Sequence, residues 1–145
     1  MREWAEDDLR ANGLAAVLQV GVAIDDRWVA IYEIDGGRRM LCDARYVGGA
    51  YGMGTVEFTQ WTAVSSPVGS AAGGVLPEGA MQVTVAVPDA DVHVRVARGH
   101  WAAAVAHRRP FTQSTITAQP VDGDGKGVGP PLERTLFRPR RGPDS

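Results

Sequence analysis

The chain has 145 residues, 44% of them apolar and 22% charged, with a formal net charge of −2. That is enough apolar material for one self-sufficient core, and the charge balance excludes a nucleic-acid binder working through bulk positive charge. Cys42 is the single cysteine, which excludes an internal disulfide and any need for an oxidising compartment. The acidic start, Met1 to Asp8, lacks the apolar core of an export signal, and the longest apolar stretch, Leu14 to Ile24, is about half the length of a membrane helix. The expectation is a cytoplasmic protein with neither membrane nor nucleic acid as partner.

In chain order, residues 2–12 predict a short helix, with acidic residues crowding its first turns and Gly13 able to end it. Val17 to Ile24 and Trp28 to Ile34 are rich in β-branched and aromatic residues, and Asp25-Asp26-Arg27 between them reads as a hairpin turn. Asp35-Gly36-Gly37 makes a second turn, with Arg38 to Asp43 as the returning strand. Tyr46 to Gly54 reads as a glycine-rich connection, Thr55 to Val64 as one strand, and Ser65 to Gly74 as a small-residue linker. Met81 to Val87 and Val92 to Val96 alternate valine with polar or small residues, the period of a half-buried strand. Through the Pro88–Asp91 and Arg98-Gly99 turns, a three-strand meander sets Val87, Val85 and Val83 opposite Val92, Val94 and Val96. The same register sets Val96, Val94 and Val92 opposite Trp101, Ala103 and Val105. Thr112 to Gln119 and Leu132 to Arg138 complete about eight strands.

The domain reading is an N-terminal helix over 1–13, one β domain over 14–138, and a tail over 139–145 expected to be disordered. The fold class is all-β: an antiparallel sandwich or distorted barrel, immunoglobulin-like, with a short N-terminal helix.

Patterns that suggest chemistry each meet an obstacle. Counting from Asp122, acids occupy positions 1, 3 and 12 of a calcium loop and Gly127 its position 6. Position 5 is the cation Lys126, however, and Pro130-Pro131 stands where a helix should begin, so a solvated hairpin loop is expected. His93, His100 and His107 recur every seven residues. Along a strand that step exceeds roughly 20 Å, too far for one metal, and three surface histidines are expected. Cys42 has no CxxC partner and is read as packing. Ser65-Ser66-Pro67-Val68-Gly69 lacks the Gly-x-Ser-x-Gly elbow, and the glycines at 48, 49, 52 and 54 match no phosphate-binding pattern. Neither metal nor cofactor is expected. Trp28 and Trp101 lie on inward patterns. In a continuous Thr55–Val64 strand, Glu57, Thr59 and Trp61 share the polar face, which would offer Trp61 to a partner; a bulge near Gln60 would instead return it to the core.

Trp28…Tyr32…Gly37…Leu41-Cys42, Gly48-Gly49, Gly74-Val75-Leu76-Pro77 leading into Met81 to Val87, Arg98-Gly99-His100-Trp101 and Asp122-Gly123-Asp124-Gly125 follow one another in this order. Over roughly residues 28–133 this succession resembles a group of small uncharacterised β-sandwich proteins from actinobacteria. Here Arg98-Gly99 stands in place of the usual acidic-Gly turn, and Cys42 lacks the second cysteine of some members. The resemblance implies the sandwich and no activity.

The functional expectation is a non-enzymatic interaction or accessory module that binds another protein through a sheet face or edge, with Glu57, Thr59 and Trp61 as first candidates. The alternative is a small-ligand or carbohydrate-binding domain, or an enzyme, whose site is the Gly48–Gly54 loop with Tyr46 and Tyr51. Edge pairing would also permit a homo-oligomer.

Overall fold

The computed structural model describes residues 1–66 and 69–138. Positions 67 and 68 and the tail 139–145, for which composition predicts disorder, lie outside the described residues. Helix α1 spans Arg2–Ala11, with Glu3 in its first turn and Arg10 in its last, the charge order that suits the helix dipole. Gly13 ends it at φ +77°. The Gly13 N–H donates to Arg10 O and the Leu14 N–H to Leu9 O, the paired bonds of a Schellman end. Ala5 and Leu9 are its buried residues, so the helix depends on the sheet beneath it.

Among the described residues eleven strands follow: β1 (Val17–Ile24), β2 (Arg27–Ile34), β3 (Arg38–Val47), β4 (Ala50–Phe58), β5 (Trp61–Ser66), β6 (Gly69–Val75), β7 (Gln82–Ala86), β8 (Ala90–Ala97), β9 (His100–His107), β10 (Gln113–Val121) and β11 (Leu132–Phe137). They form three antiparallel sheets with orders β1-β2-β3-β4, β5-β6-β9-β8 and β11-β10-β7. The expected all-β sandwich with a short N-terminal helix is present, built from three sheets where an immunoglobulin-like domain has two. Among the described residues no helix is long and apolar enough to cross a membrane.

Three apolar clusters show how the layers stack. Ala5 and Leu9 of α1 pack on Trp28, Ala30, Tyr32, Met40 and Cys42 on the outer face of the first sheet. The opposite face, with Val20, Val22, Val29, Ile31 and Leu41, meets Ala71, Ala102 and Ala104 of the β5-β6-β9-β8 sheet. The far side of that middle sheet, with Ala72, Trp101, Ala103 and Val105, meets Val83, Ile116, Ala118 and Leu136 of the third sheet. A strand covered on both faces needs apolar side chains at every position, and where the layers close tightly they must be small. β6, Gly-Ser-Ala-Ala-Gly-Gly-Val, and the central Ala102–Ala104 of β9 are small throughout and apolar except at Ser70, whose hydroxyl lies 2.7 Å from His107 Nε2.

This corrects the reading of Ser65 to Gly74 as a linker, since small residues there mark burial on both sides. A Cβ on Gly73 would strike Ile31 Cδ1 at 2.8 Å, and one on Gly74 would strike Trp101 Nε1 and Trp61 Cβ at 2.8 Å each. The single Thr55–Val64 strand is likewise two strands, broken at Thr59-Gln60 where the chain passes from the first sheet to the middle one.

The valine meander is half right. Val92, Val94 and Val96 pair with Val105, Ala103 and Trp101 as expected. β7, however, pairs with β10, setting Val85 beside Ala118 and Val83 beside Pro120. Pro88 supplies no N–H, and Asp89 sits at φ +51°, so the chain leaves the sheet plane here instead of folding back within it. The β7 and β8 valines therefore share one cluster by facing across two layers. Met81, expected inward, is exposed.

Candidate functional site

The segment read as a glycine-rich connection is a hairpin, and its tip gathers three exposed large apolar side chains, Tyr46, Val47 and Tyr51. β3 continues to Val47, and Gly48 and Gly49 turn the chain at φ +62° and +81°. Two consecutive positive φ values define a two-residue turn that glycine enters without strain, and such a turn fixes register. Val47 thus opposes Ala50, and Tyr46 opposes Tyr51. The tyrosine rings lie 4.8 Å apart, tilted by 59°. Trp4, carried over them by α1, stacks on Tyr51 at 5.0 Å and 16°. Tyr46 is 41% exposed, and Val47 and Tyr51 are each 52% exposed. Gly52 and Gly54 follow on β4, on the face opposite Tyr51, with open space where side chains would stand. β4 ends the order of its sheet, so every second peptide group along it points away from β3.

Glu57, Thr59 and Trp61 do not form one face. Glu57 is on β4, accepting a hydrogen bond from Arg38 Nη1 at 2.9 Å. Thr59 lies in the turn, and Trp61 opens β5 half-buried against the cluster between the middle and third sheets. The Arg134 guanidinium covers the Trp61 ring at 4.6 Å, while Arg134 Nη1 donates to Thr62 Oγ1 at 3.2 Å. Trp61 is thereby held by its own chain. The chain break at Gln60 does what a bulge would have done, returning the indole towards the core.

The histidines also need revision. His93 is exposed on β8 as expected, but His100 is only 6% exposed. Its Nε2 accepts from Arg39 Nε at 3.0 Å. Nδ1 must then carry the proton that it donates to Arg98 O at 2.7 Å. His107 closes the other end of β9, 2.7 Å from Ser70 Oγ and stacked 4.0 Å from Phe111. Burial first, and then the Arg27 charge, hold its pKa below the ordinary value. In the loop that imitates a calcium site, Asp122 Oδ1 accepts the N–H groups of Asp124 and Lys126 at 2.9 Å each, the self-capping of a polar hairpin turn. Cys42 is buried beneath α1, and burial followed by the Asp43 charge pushes its thiol up to about 12. It is packing material at neutral pH.

Sequence reading missed a buried ion pair between the first and middle sheets. Arg27 Nε and Nη2 donate to the two carboxylate oxygens of Asp43 at 2.9 Å each. Nη1 reaches Val105 O at 2.8 Å and Nη2 reaches Ser70 O. Every contact is internal, so the guanidinium clamps β2 and β3 onto β6 and β9. One signal was available: alternation along β3 puts Asp43 on the same inward face as Leu41.

The class these features define is a stacked all-β domain with an aromatic-tipped hairpin. No protein-family model, curated protein or solved structure matches the chain.

Proposed function

We propose that the protein is a non-catalytic, cytoplasmic interaction module that grips another protein through the β3–β4 hairpin tip, with Tyr46 and Tyr51 as anchors and Trp4 as their support. The carrying observation is that large apolar side chains stay exposed on a turn whose geometry is fixed. Rigid aromatics lose little conformational freedom on contact, and they dominate binding energy when a partner covers them. The adjoining β4 edge offers backbone donors and acceptors to the same partner. The carbohydrate reading of these tyrosines draws less support, because Trp4 lies flat on Tyr51 and Tyr46 leans against it, leaving little open ring face for a sugar.

A photo-crosslinking residue placed at position 46 or 47 in the producing cells tests this, with position 35 on another turn as control. The expected result is a discrete adduct from the tip that the control does not give and that Tyr51→Ser abolishes, with the thermal midpoint unchanged. An adduct with a second copy of this chain would make the module self-associating, and sedimentation would show the dimer. Absence of a tip-specific adduct, or oligosaccharide binding that the serine variant abolishes, would overturn the proposal.

A further inference from the structure

On the opposite side of the first sheet from the hairpin edge, β1 is the terminal strand, and β8 is the terminal strand of the middle sheet. The two pack against each other, so both edges open on one flank of the stack. A cleft of about 970 Å³ lies there, with Leu18 and Val20 of β1 on one wall, Arg95 and Arg98 on the other, and Arg10 of α1 at its mouth. A second cleft of about 530 Å³ continues from Arg95 between Val22–Ile24 and Val92–Val96. Together they form a trough along the eight-residue β1, roughly 25 Å long.

The trough is positive on a chain whose formal net charge is −2. Among the described residues Arg95 and Arg98 have no carboxylate partner. The one acid in the lining, Glu6, is held by Arg2 Nε at 2.9 Å and by the Tyr32 hydroxyl at 2.7 Å. His93 stands beside Arg95 on the β8 wall. The walls also show an unmet demand for backbone partners. Leu18 O, on the edge of β1, accepts from Arg98 Nη1 at 2.7 Å, a side chain standing where a neighbouring strand's N–H would be. A register break between Leu18 and Val20 disturbs that end of the edge, but Val20 to Ile24 run regularly, as does all of β8.

We infer that this trough binds an extended, acidic segment of another protein, whose carboxylates meet Arg95 and Arg98 while its main chain pairs along β1 or β8. Elongation and two strand edges select an extended chain over a helix, and the uncompensated guanidiniums select carboxylates. No tryptophan, tyrosine or phenylalanine lines either cleft, so the broad aromatic platform on which single-stranded nucleic acid stacks is missing. A concave trough likewise offers no flat face to a membrane. The surface is separate from the hairpin tip, and the inference stands without the proposal made for that tip.

Fluorescence anisotropy with a labelled peptide of alternating glutamate and valine tests it, against the same peptide with lysine for glutamate. The acidic peptide is expected to bind and to weaken with added salt, and the lysine peptide to stay free. Arg95→Glu should weaken binding by about tenfold or more, and Ala97→Glu, which leaves every arginine in place, should act in the same direction. Tyr46→Ser with Tyr51→Ser should leave the affinity unchanged, which separates this surface from the other. Amide exchange should slow along Val20–Ile24 or along Val92–Val96 when peptide is bound. Equal binding of the two peptides, indifference to both glutamate variants, or no slowed amides in either strand would overturn the inference. So would tighter binding of oligothymidylate or of phosphatidylserine vesicles than of the acidic peptide.

Discussion

Asp43→Asn is the sharpest test of how the first two sheets are joined. The substitution keeps the side chain's shape but removes the charge that compensates Arg27, whose side chain and that of Asp43 are 7% and 4% exposed. The guanidinium cannot deprotonate, and its remaining contacts are the carbonyls of Val105 and Ser70, which carry no full charge. Breaking one side of a buried pair costs about 3–5 kcal/mol, a large share of the roughly 5–15 kcal/mol that holds a domain together. At this chain length the thermal midpoint should fall by roughly 6–20 °C. Replacing both partners, Arg27→Met with Asp43→Leu, removes the stranded charge and should recover most of the loss, short of the two carbonyl contacts. Urea unfolding followed by circular dichroism gives each stability and closes the double-mutant cycle. A cost below about 1 kcal/mol for Asp43→Asn, or a double variant no more stable than the single one, would refute the clamp.

Gly74→Ala should destabilise by about 1–3 kcal/mol in the same denaturation assay, because the new methyl meets Trp101, Trp61 and the Gln60 carbonyl, all at 2.8 Å. Folding depresses the His107 pKa below 6.5, so the unfolded chain takes up the proton more readily. Stability should therefore hold above pH 6.5 and decline as pH falls below it; His107→Gln should flatten that part of a pH series of thermal midpoints. With its thiol pushed up to about 12, Cys42 should resist a disulfide reagent in the native protein at pH 8 and react fully in guanidinium, as absorbance would show.

The first three strands were legible because their grammar is local. Asp25-Asp26 and Asp35-Gly36-Gly37 each join neighbouring strands, and β1 and β2 begin within a residue of where β-branched content places them, whereas the glycines of Tyr46 to Gly54 disguised the β3–β4 hairpin as a connection. Legibility failed where burial lies on both faces. The run from Gly69 to Gly74 has the composition of a loop, and only the layers on either side show why its side chains must be small. It failed again at Pro88, since period-2 alternation says which face a valine takes and leaves open whether its neighbour lies beside it or across a layer. At the sites, Trp61 shares a face with Glu57 and Thr59 only in one continuous strand, and the chain breaks at Thr59-Gln60. Tyr46 and Tyr51 were named for the glycines around them, and the same glycines, acting as a turn, bring the rings together. Trp4 could not have been joined to them, because its place depends on how α1 docks. The trough beside β1 needs Arg95 and Arg98 to meet that strand, and the Arg98–Leu18 contact spans 80 residues, a separation that no local pattern encodes.

The order in which the sheets close has a bearing on how the chain is made. The first four strands are consecutive hairpins, so they can assemble as soon as they leave the ribosome. The middle sheet is complete only when β9 arrives to join β6, after β7 has been sent to a different layer. Until then Val20, Val22, Val29, Ile31 and Leu41 present a greasy surface with no cover. Slow translation between residues 58 and 107 would prolong that exposure. Yield in a foreign host should thus depend on elongation speed and on chaperones that shield sticky nascent sheets, more than on the strength of the finished fold.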